Sequence, residues 1–157
     1  LLMVQAHVAH DCQLGDGVEL ANGVQLAGHV EVEDHAAVAG LAAVHQFARI
    51  GQLAFVGAGA MVSRDVPPFA LASGDRARVY GVNSVGLRRR GLPPAERALI
   101  KRALRQLLAA PTLAEGRAAV EALAGSGASP HVSALLRFAT NSRRGLCRLS
   151  RVGEGVP

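Results

Sequence analysis

Leu26-Ala27-Gly28-His29-Val30-Glu31, Val32-Glu33-Asp34-His35-Ala36-Ala37 and Val38-Ala39-Gly40-Leu41-Ala42-Ala43 are three consecutive six-residue units. Each opens on an aliphatic residue and carries a small or apolar one four places later. The register continues outward without a slip, through Leu20, Leu14, Val8 and Leu2 on one side and Val44, Ile50, Val56 and Val62 on the other. Four places after these stand Val24, Val18, Cys12 and Ala6, then Ala48, Ala54, Ala60 and Val66. A helix, with about 3.6 residues per turn, cannot keep such a register, and plain strand alternation would not single out every sixth residue. The period fits a parallel β-helix in which three hexads make one triangular coil. The aliphatic points inward, the small residue fills the narrow lumen, and Gly or polar residues turn the corners.

The composition agrees with such a lumen. Half of the 157 residues are hydrophobic but only 3% are aromatic, so the core must be built from Val, Leu and Ala. Without Trp, and with Tyr80, Phe47, Phe55, Phe69 and Phe138 as its only rings, the chain is poorly equipped for base stacking, and nucleic acid is not an expected partner. Cys12 and Cys147 are isolated and lack metal-ligand spacing, which points to a reducing compartment, the cytoplasm, rather than to a disulfide framework. No run approaches the roughly 18 apolar residues of a membrane span. The chain opens at Leu1 inside an apolar run, and is expected to be part of a longer protein.

Charge divides the chain in two. Residues 1–62 hold six acidic residues against Arg49 alone, net −5, whereas residues 63–157 hold 16 Lys and Arg against six acidic residues, net +10. Asp65-Val66-Pro67-Pro68 should stop the strands, because proline cannot donate to a ladder. A looping stretch to Gly91 is expected next, then a helix opened by Pro93-Pro94-Ala95-Glu96. Leu99, Ile100, Ala103, Leu104 and Leu107 give that helix an apolar face; Arg97, Lys101, Arg102 and Arg105 give it a basic one. Thr112-Leu113-Ala114-Glu115 reads as a capping box for a second helix, and a third is expected near 131–143. The expected division is a β-helix over residues 1–80, including its exit loop, and a small helical domain over residues 81–157.

Stacking the coils gathers the histidines. With 18 residues per coil, positions 18 apart lie above one another at about the 4.8 Å spacing of neighbouring strands. One column reads His10, Gly28, Gln46; the next reads Asp11, His29, Phe47; the one before reads Ala9, Ala27, His45. His7 lies one short step away. Nothing in the packing of the repeat requires histidine at this corner. Imidazole there suits the deprotonation of a hydroxyl nucleophile, with Asp11 fixing the tautomer and Gly28 offering an N–H to an oxyanion. A surface His–Asp pair is an equal reading of these residues alone. Zinc binding fits less well, since Asp11 and Gln46 crowd the corner, and no metal is expected. His35 and His131 read as ordinary surface residues.

Further segments carry a resemblance. Ala6-His7-Val8-Ala9-His10-Asp11-Cys12, Leu26-Ala27-Gly28-His29-Val30, Ala43-Val44-His45-Gln46-Phe47, Asp65-Val66-Pro67-Pro68, Gly81-Val82-Asn83 and Gly86-Leu87-Arg88-Arg89-Arg90-Gly91 together resemble the UDP-N-acetylglucosamine O-acyltransferase family of hexapeptide-repeat transferases. The resemblance runs through both parts and fades after about Arg148. It implies a left-handed parallel β-helix followed by a small helical domain. It also implies transfer of a (R)-3-hydroxyacyl chain from acyl carrier protein to the 3-hydroxyl of UDP-N-acetylglucosamine, the first step of lipid A biosynthesis, with no cofactor. His10 would be the general base, Asp11 its support and Gly28 the oxyanion donor. His7, His29, His45 and Gln46 would line the pocket between subunits of a homotrimer, and Asn83, Arg89 and Arg90 would hold the UDP. Arg88 to Arg90 read without that context as a solvated charge run. Ala58 would gauge the acyl length, and its methyl implies a donor slightly shorter than a glycine there would accept. Val85 stands where the family often has an acidic residue, and the coils that precede the matching region in the family are missing. Two alternatives stay open: the N-acyltransferase acting on UDP-3-O-acylglucosamine, and an inactive β-helix that only assembles trimers.

Overall fold

The structure is a computed structural model and describes residues 1–124 and 129–150. Ten two-residue strands recur at the six-residue interval: β1 (His7–Val8), β2 (Gln13–Leu14), β3 (Glu19–Leu20), β4 (Gln25–Leu26), β5 (Glu31–Val32), β6 (Ala37–Val38), β7 (Ala43–Val44), β8 (Arg49–Ile50), β9 (Phe55–Val56) and β10 (Met61–Val62). Each pairs in parallel with the strand 18 residues away, as in His7 with Gln25 and Glu31 with Arg49. The strands form three faces: β1-β4-β7-β10 is the first and β2-β5-β8 the second. The third begins β3-β6-β9. This is a left-handed parallel β-helix.

The inward side chains are those of the hexad pattern. Leu20, Leu26, Val32, Val38, Val44, Ile50, Val56 and Val62 are buried, as are Val24, Val30, Ala36, Ala42, Ala48, Ala54 and Ala60. Each buried aliphatic contributes about 1.5–3 kcal/mol relative to leaving it in water.

The corners follow a rule that composition hid. The residue three places after each aliphatic adopts positive φ: Gln5, Asp11, Gly17, Gly23, His29, His35, Leu41, Phe47, Leu53 and Gly59, all between 54° and 70°. Such a backbone costs a non-glycine residue about 1–2 kcal/mol. It also aims each N–H along the solenoid axis. His29, His35, Leu41, Phe47 and Leu53 donate to the carbonyls of His10, Asp16, Asn22, Gly28 and Asp34, one coil earlier. The stacked ladder therefore holds residues in a conformation they would not take alone. Gly or polar residues turn seven of these ten corners as expected, but Leu41, Phe47 and Leu53 turn the other three.

The exit differs from the expectation. Pro67-Pro68 interrupts the coil, yet the chain returns as β11 (Ala70–Ser73), parallel to β9, and pairs in antiparallel fashion with β12 (Arg78–Val82). The third face is thereby extended by two strands. The stretch to Gly91 is thus ordered structure rather than a loop, because β9 still presents an unpaired edge that β11 can satisfy. It ends in α1 (Ser84–Arg89), which sequence reading missed. Strand β12 runs past residue 80, and the helices begin at Ser84.

The remaining helices are α2 (Pro94–Ala109), α3 (Leu113–Ala124) and α4 (Pro130–Thr140). Ile100, Ala103, Leu104 and Leu107 of α2 are buried, while Lys101, Arg102 and Arg105 are exposed. Glu115 N–H donates to Thr112 Oγ1 at 3.2 Å, the N-terminal half of the expected box. Helix α4 lies beside the second face, where Arg49 locks the two parts together. Its guanidinium meets Glu31 and Glu33 at 2.8 Å each and lies 4.3 Å from the Phe138 ring centre.

His131 is not an ordinary surface residue. It is half-buried, edge-on to Phe69, and its Nδ1–H donates to Glu96 Oε1 at 2.8 Å, while the Ser129 hydroxyl donates to the same oxygen. These contacts join the start of α2 to the start of α4. Ser129 chiefly, then His131, holds the Glu96 carboxyl below its ordinary value of 4.5. The stabilisation is therefore complete above pH 4.5 and is lost as pH falls through the lower folded value. Acid melting followed by circular dichroism should show helix loss in that range. Glu96→Gln should flatten this part of the profile while lowering stability at neutral pH.

Candidate active site

The corner between the first and second faces carries the expected histidines. His10 lies at the end of β1's turn, and Asp11 follows in the left-handed conformation that Asp tolerates better than most residues. This places Asp11 Oδ2 2.9 Å from His10 Nδ1 and 3.7 Å from His29 Nε2. An ionised carboxylate only accepts, so His10 carries its proton on Nδ1 and leaves the Nε2 lone pair free. The His10 bond first, and the charge of His29 second, hold the Asp11 carboxyl below its usual range.

Gly28 is buried beneath this ring. A Cβ built there would lie 2.6 Å from both Nε2 and Cε1 of His10, so only glycine leaves the imidazole its place above the next coil. Among the described residues none accepts the Gly28 N–H, while its carbonyl accepts from Phe47 N–H. His29 packs edge-on to His10 at 5.1 Å between ring centres and stacks on Phe47 at 4.8 Å. Phe47 is thus a part of the corner whose role the sequence reading did not assign. Gln46 stands one coil above Gly28, and His45 bonds through Nδ1 to the Gln46 carbonyl at 3.0 Å. His7 is exposed on the first face. His10, Asp11 and His29 offer ligand atoms within 4.8 Å of one another, near enough to share a cation, though Asp11 already directs one oxygen at both rings. A cavity of about 930 Å³ opens from Asp11, His29 and Phe47 along the second face towards Asp65 and Arg143.

The other expected residues lie elsewhere. Asn83, Arg89 and Arg90 line a cleft of about 520 Å³ between the third face and α1. Asn83 caps α1, its Oδ1 accepting from Gly86 N–H at 2.9 Å and its Nδ2 donating to the Leu53 carbonyl at 3.0 Å. The amide is therefore committed to positioning the helix that bears Arg89 and ends at Arg90. Ala58 is exposed at the corner between the third and first faces. One chain thus carries the histidine corner, the arginine cleft and Ala58 on three different edges and does not unite them. His35, expected as a surface residue, lines the cleft and contacts Arg90. Its signal was legible in principle, since it stacks above Gly17 in a column that also holds Leu53.

Residues 65–147 match the family model described as UDP N-acetylglucosamine O-acyltransferase, domain 2. An acyl-(acyl-carrier-protein)–UDP-N-acetylglucosamine O-acyltransferase of Herminiimonas arsenicoxydans is 43% identical over 150 residues, covering 94% of this chain and 57% of that protein. One of the same name from Tolumonas auensis is 52% identical over 149 residues, covering 94% and 56%. The crystal structure of a UDP-N-acetylglucosamine acyltransferase from Bacteroides fragilis superposes with a TM-score of 0.86 at 32% identity, over 92% of this chain and 56% of that one. The chain therefore spans little more than half the length of these relatives.

Proposed function

The chain belongs to the UDP-N-acetylglucosamine O-acyltransferase family, and we propose that it carries the catalytic corner of such an enzyme. The whole subunit would transfer a (R)-3-hydroxyacyl chain from acyl carrier protein to the 3-hydroxyl of UDP-N-acetylglucosamine, the first step of lipid A biosynthesis, in the cytoplasm. The observation that carries this reading is the free Nε2 of His10, held by Asp11 and seated over Gly28. In the reaction, His10 Nε2 takes the proton of the sugar 3-hydroxyl as its oxygen attacks the thioester carbonyl. The Asp11 carboxylate steadies the resulting imidazolium. The Gly28 N–H meets the oxyanion, which collapses, breaks the C–S bond, and releases the carrier thiol with the proton from His10.

The division of site residues over three edges supports a homotrimer as the working unit. In a cyclic trimer one subunit's histidine corner faces a different edge of its neighbour, so Arg89 and Arg90 would reach the substrate diphosphate from across the interface. His7, His29, His45 and Gln46 would line the sugar and acyl pocket, Asn83 would set the cleft through α1, and Ala58 would bound the acyl chain. Exposed Lys101, Arg102 and Arg105 suit docking of an acidic carrier protein. Among the described residues no helix is long and apolar enough to cross a membrane.

The deciding assay incubates the full-length protein with 3-hydroxyacyl-carrier protein and, in separate reactions, UDP-N-acetylglucosamine or UDP-3-O-acylglucosamine, and follows acyl-sugar by mass spectrometry. Absence of product, or product only from UDP-3-O-acylglucosamine, overturns the reading. Gly28→Ala gives a finer test. The new methyl must displace the His10 ring, so kcat should fall by about tenfold to a hundredfold with the fold retained.

A further inference from the structure

We propose that His35 is a positioning residue for the arginine cleft, holding the Arg90 guanidinium in place before a nucleoside diphosphate arrives. The inference rests on the nucleotide reading of the cleft given above.

The corner at Asp34-His35 is pinned on both sides. Asp34 Oδ1 accepts from Asp16 N–H at 2.8 Å, and His35 N–H donates to the Asp16 carbonyl at 2.7 Å. His35 has φ 59°. Its ring lies over Gly17 so closely that a Cβ at residue 17 would fall 2.2 Å from its Nδ1. Gly17 itself sits at φ 65°, so both its backbone and its missing side chain serve this arrangement. From that seat Nδ1 meets Arg90 Nη2 at 2.5 Å, across 55 residues of sequence.

A guanidinium has only donors, so His35 Nδ1 must be the acceptor, and the ring is neutral while the contact holds. The contact takes one of five N–H groups and leaves the rest of the fork open. Arg90 is exposed and long, and a free side chain of that kind loses rotamer freedom on binding. A fork already bonded to a pinned imidazole has lost part of it beforehand. His35 needs no contact with the ligand to act in this way. Glu19, Arg89 and Arg90 are the charged residues lining the cleft. His35 thus supplies a neutral acceptor that does not cancel the positive charge the ligand requires, as a carboxylate would.

The test is a double-mutant cycle on the full-length protein, with UDP alone as the probe in calorimetry and with steady-state kinetics in parallel. Arg90→Ala should weaken UDP binding by about tenfold or more. His35→Ala should weaken it by about three- to tenfold and raise KM for the sugar nucleotide by a similar factor, with kcat unchanged. In the Arg90→Ala background His35→Ala should have no further effect, and His35→Gln, whose amide oxygen can accept, should recover most of the loss. If Arg90→Ala weakens binding but His35→Ala does not, or if the two effects simply add, the positioning role is wrong while the nucleotide cleft stands. If Arg90→Ala itself leaves UDP binding unchanged, the cleft assignment fails and His35 falls with it.

Discussion

Replacing His10 by alanine in the full-length protein is expected to lower kcat by about a thousandfold while leaving UDP binding within about twofold of wild type. General base catalysis is worth about 10²–10⁴-fold when the base is well placed, and the placement here is specific. Asp11 fixes the tautomer from one side, His29 packs against the ring, and Gly28 clears the space beneath Nε2. Asparagine at position 11 should give a smaller loss than alanine at position 10. Its amide can present N–H to Nδ1 and favour the tautomer whose Nε2 is already protonated. The pair of variants separates the enzyme from an inert β-helix that only builds trimers. Product formation by His10→Ala at the wild-type rate would falsify the catalytic reading. A scaffold role would leave both variants indistinguishable from wild type.

Asp65→Ala is expected to destabilise the folded chain by about 3 kcal/mol, without touching the histidine corner. The side chain is 1% exposed, although it is a carboxylate. Its Oδ1 accepts from Arg49 N–H at 2.9 Å and its Oδ2 from the Ser142 hydroxyl at 2.6 Å. Its backbone pairs with Gly145 and Cys147 at 3.0 and 2.8 Å. One residue thereby stitches the last full coil to the segment that returns after α4. Alanine leaves two half-buried donors without their acceptor, at about 1–3 kcal/mol each. For a chain of this size that lowers Tm by roughly 6–12 °C at fixed protein concentration. Asp65→Asn offers an instructive control, since the new amide oxygen still serves Arg49 N–H and the NH2 faces a hydroxyl able to turn and accept. A loss near about 1 kcal/mol is expected there. Equal melting of both variants with wild type would show that the seam contributes nothing to stability. Cys147 lies at the same seam, and burial first, then the Asp65 charge, pushes its thiol up to about 12, so alkylation of Cys147 should report the opening of the seam in Asp65→Ala.

The solenoid and the histidine corner were legible because both follow from a period. Once Leu26, Val32, Val38 and Val44 set six residues per face, positions 18 apart must stack, and His10, Gly28 and Gln46 fall into a column with no further information. The Glu31 and Arg49 ion pair was readable by the same rule, being one coil apart. Less legible was the exit from the coil after Val62. Pro67 and Pro68 do break the coil, but β11 forms because an unsatisfied edge at β9 is available in space, which no local pattern announces. Helix α1, short and capped by Asn83, was lost for the same reason.

What the sequence by itself determined is the repeat, the lumen of Val, Leu and Ala, and the grouping of His10, Asp11, Gly28 and His29, since all depend on spacing along one chain. Tertiary structure alone decided that His35 meets Arg90, that His131 and Ser129 converge on Glu96, and that Asp65 ties the coil to the segment after α4. These contacts join residues 33 to 77 positions apart, the first and last between the periodic solenoid and the aperiodic cap, the middle pair between two helices of the cap. Where the period ends, partners are chosen by the packing of faces against helices, and that choice is made in three dimensions.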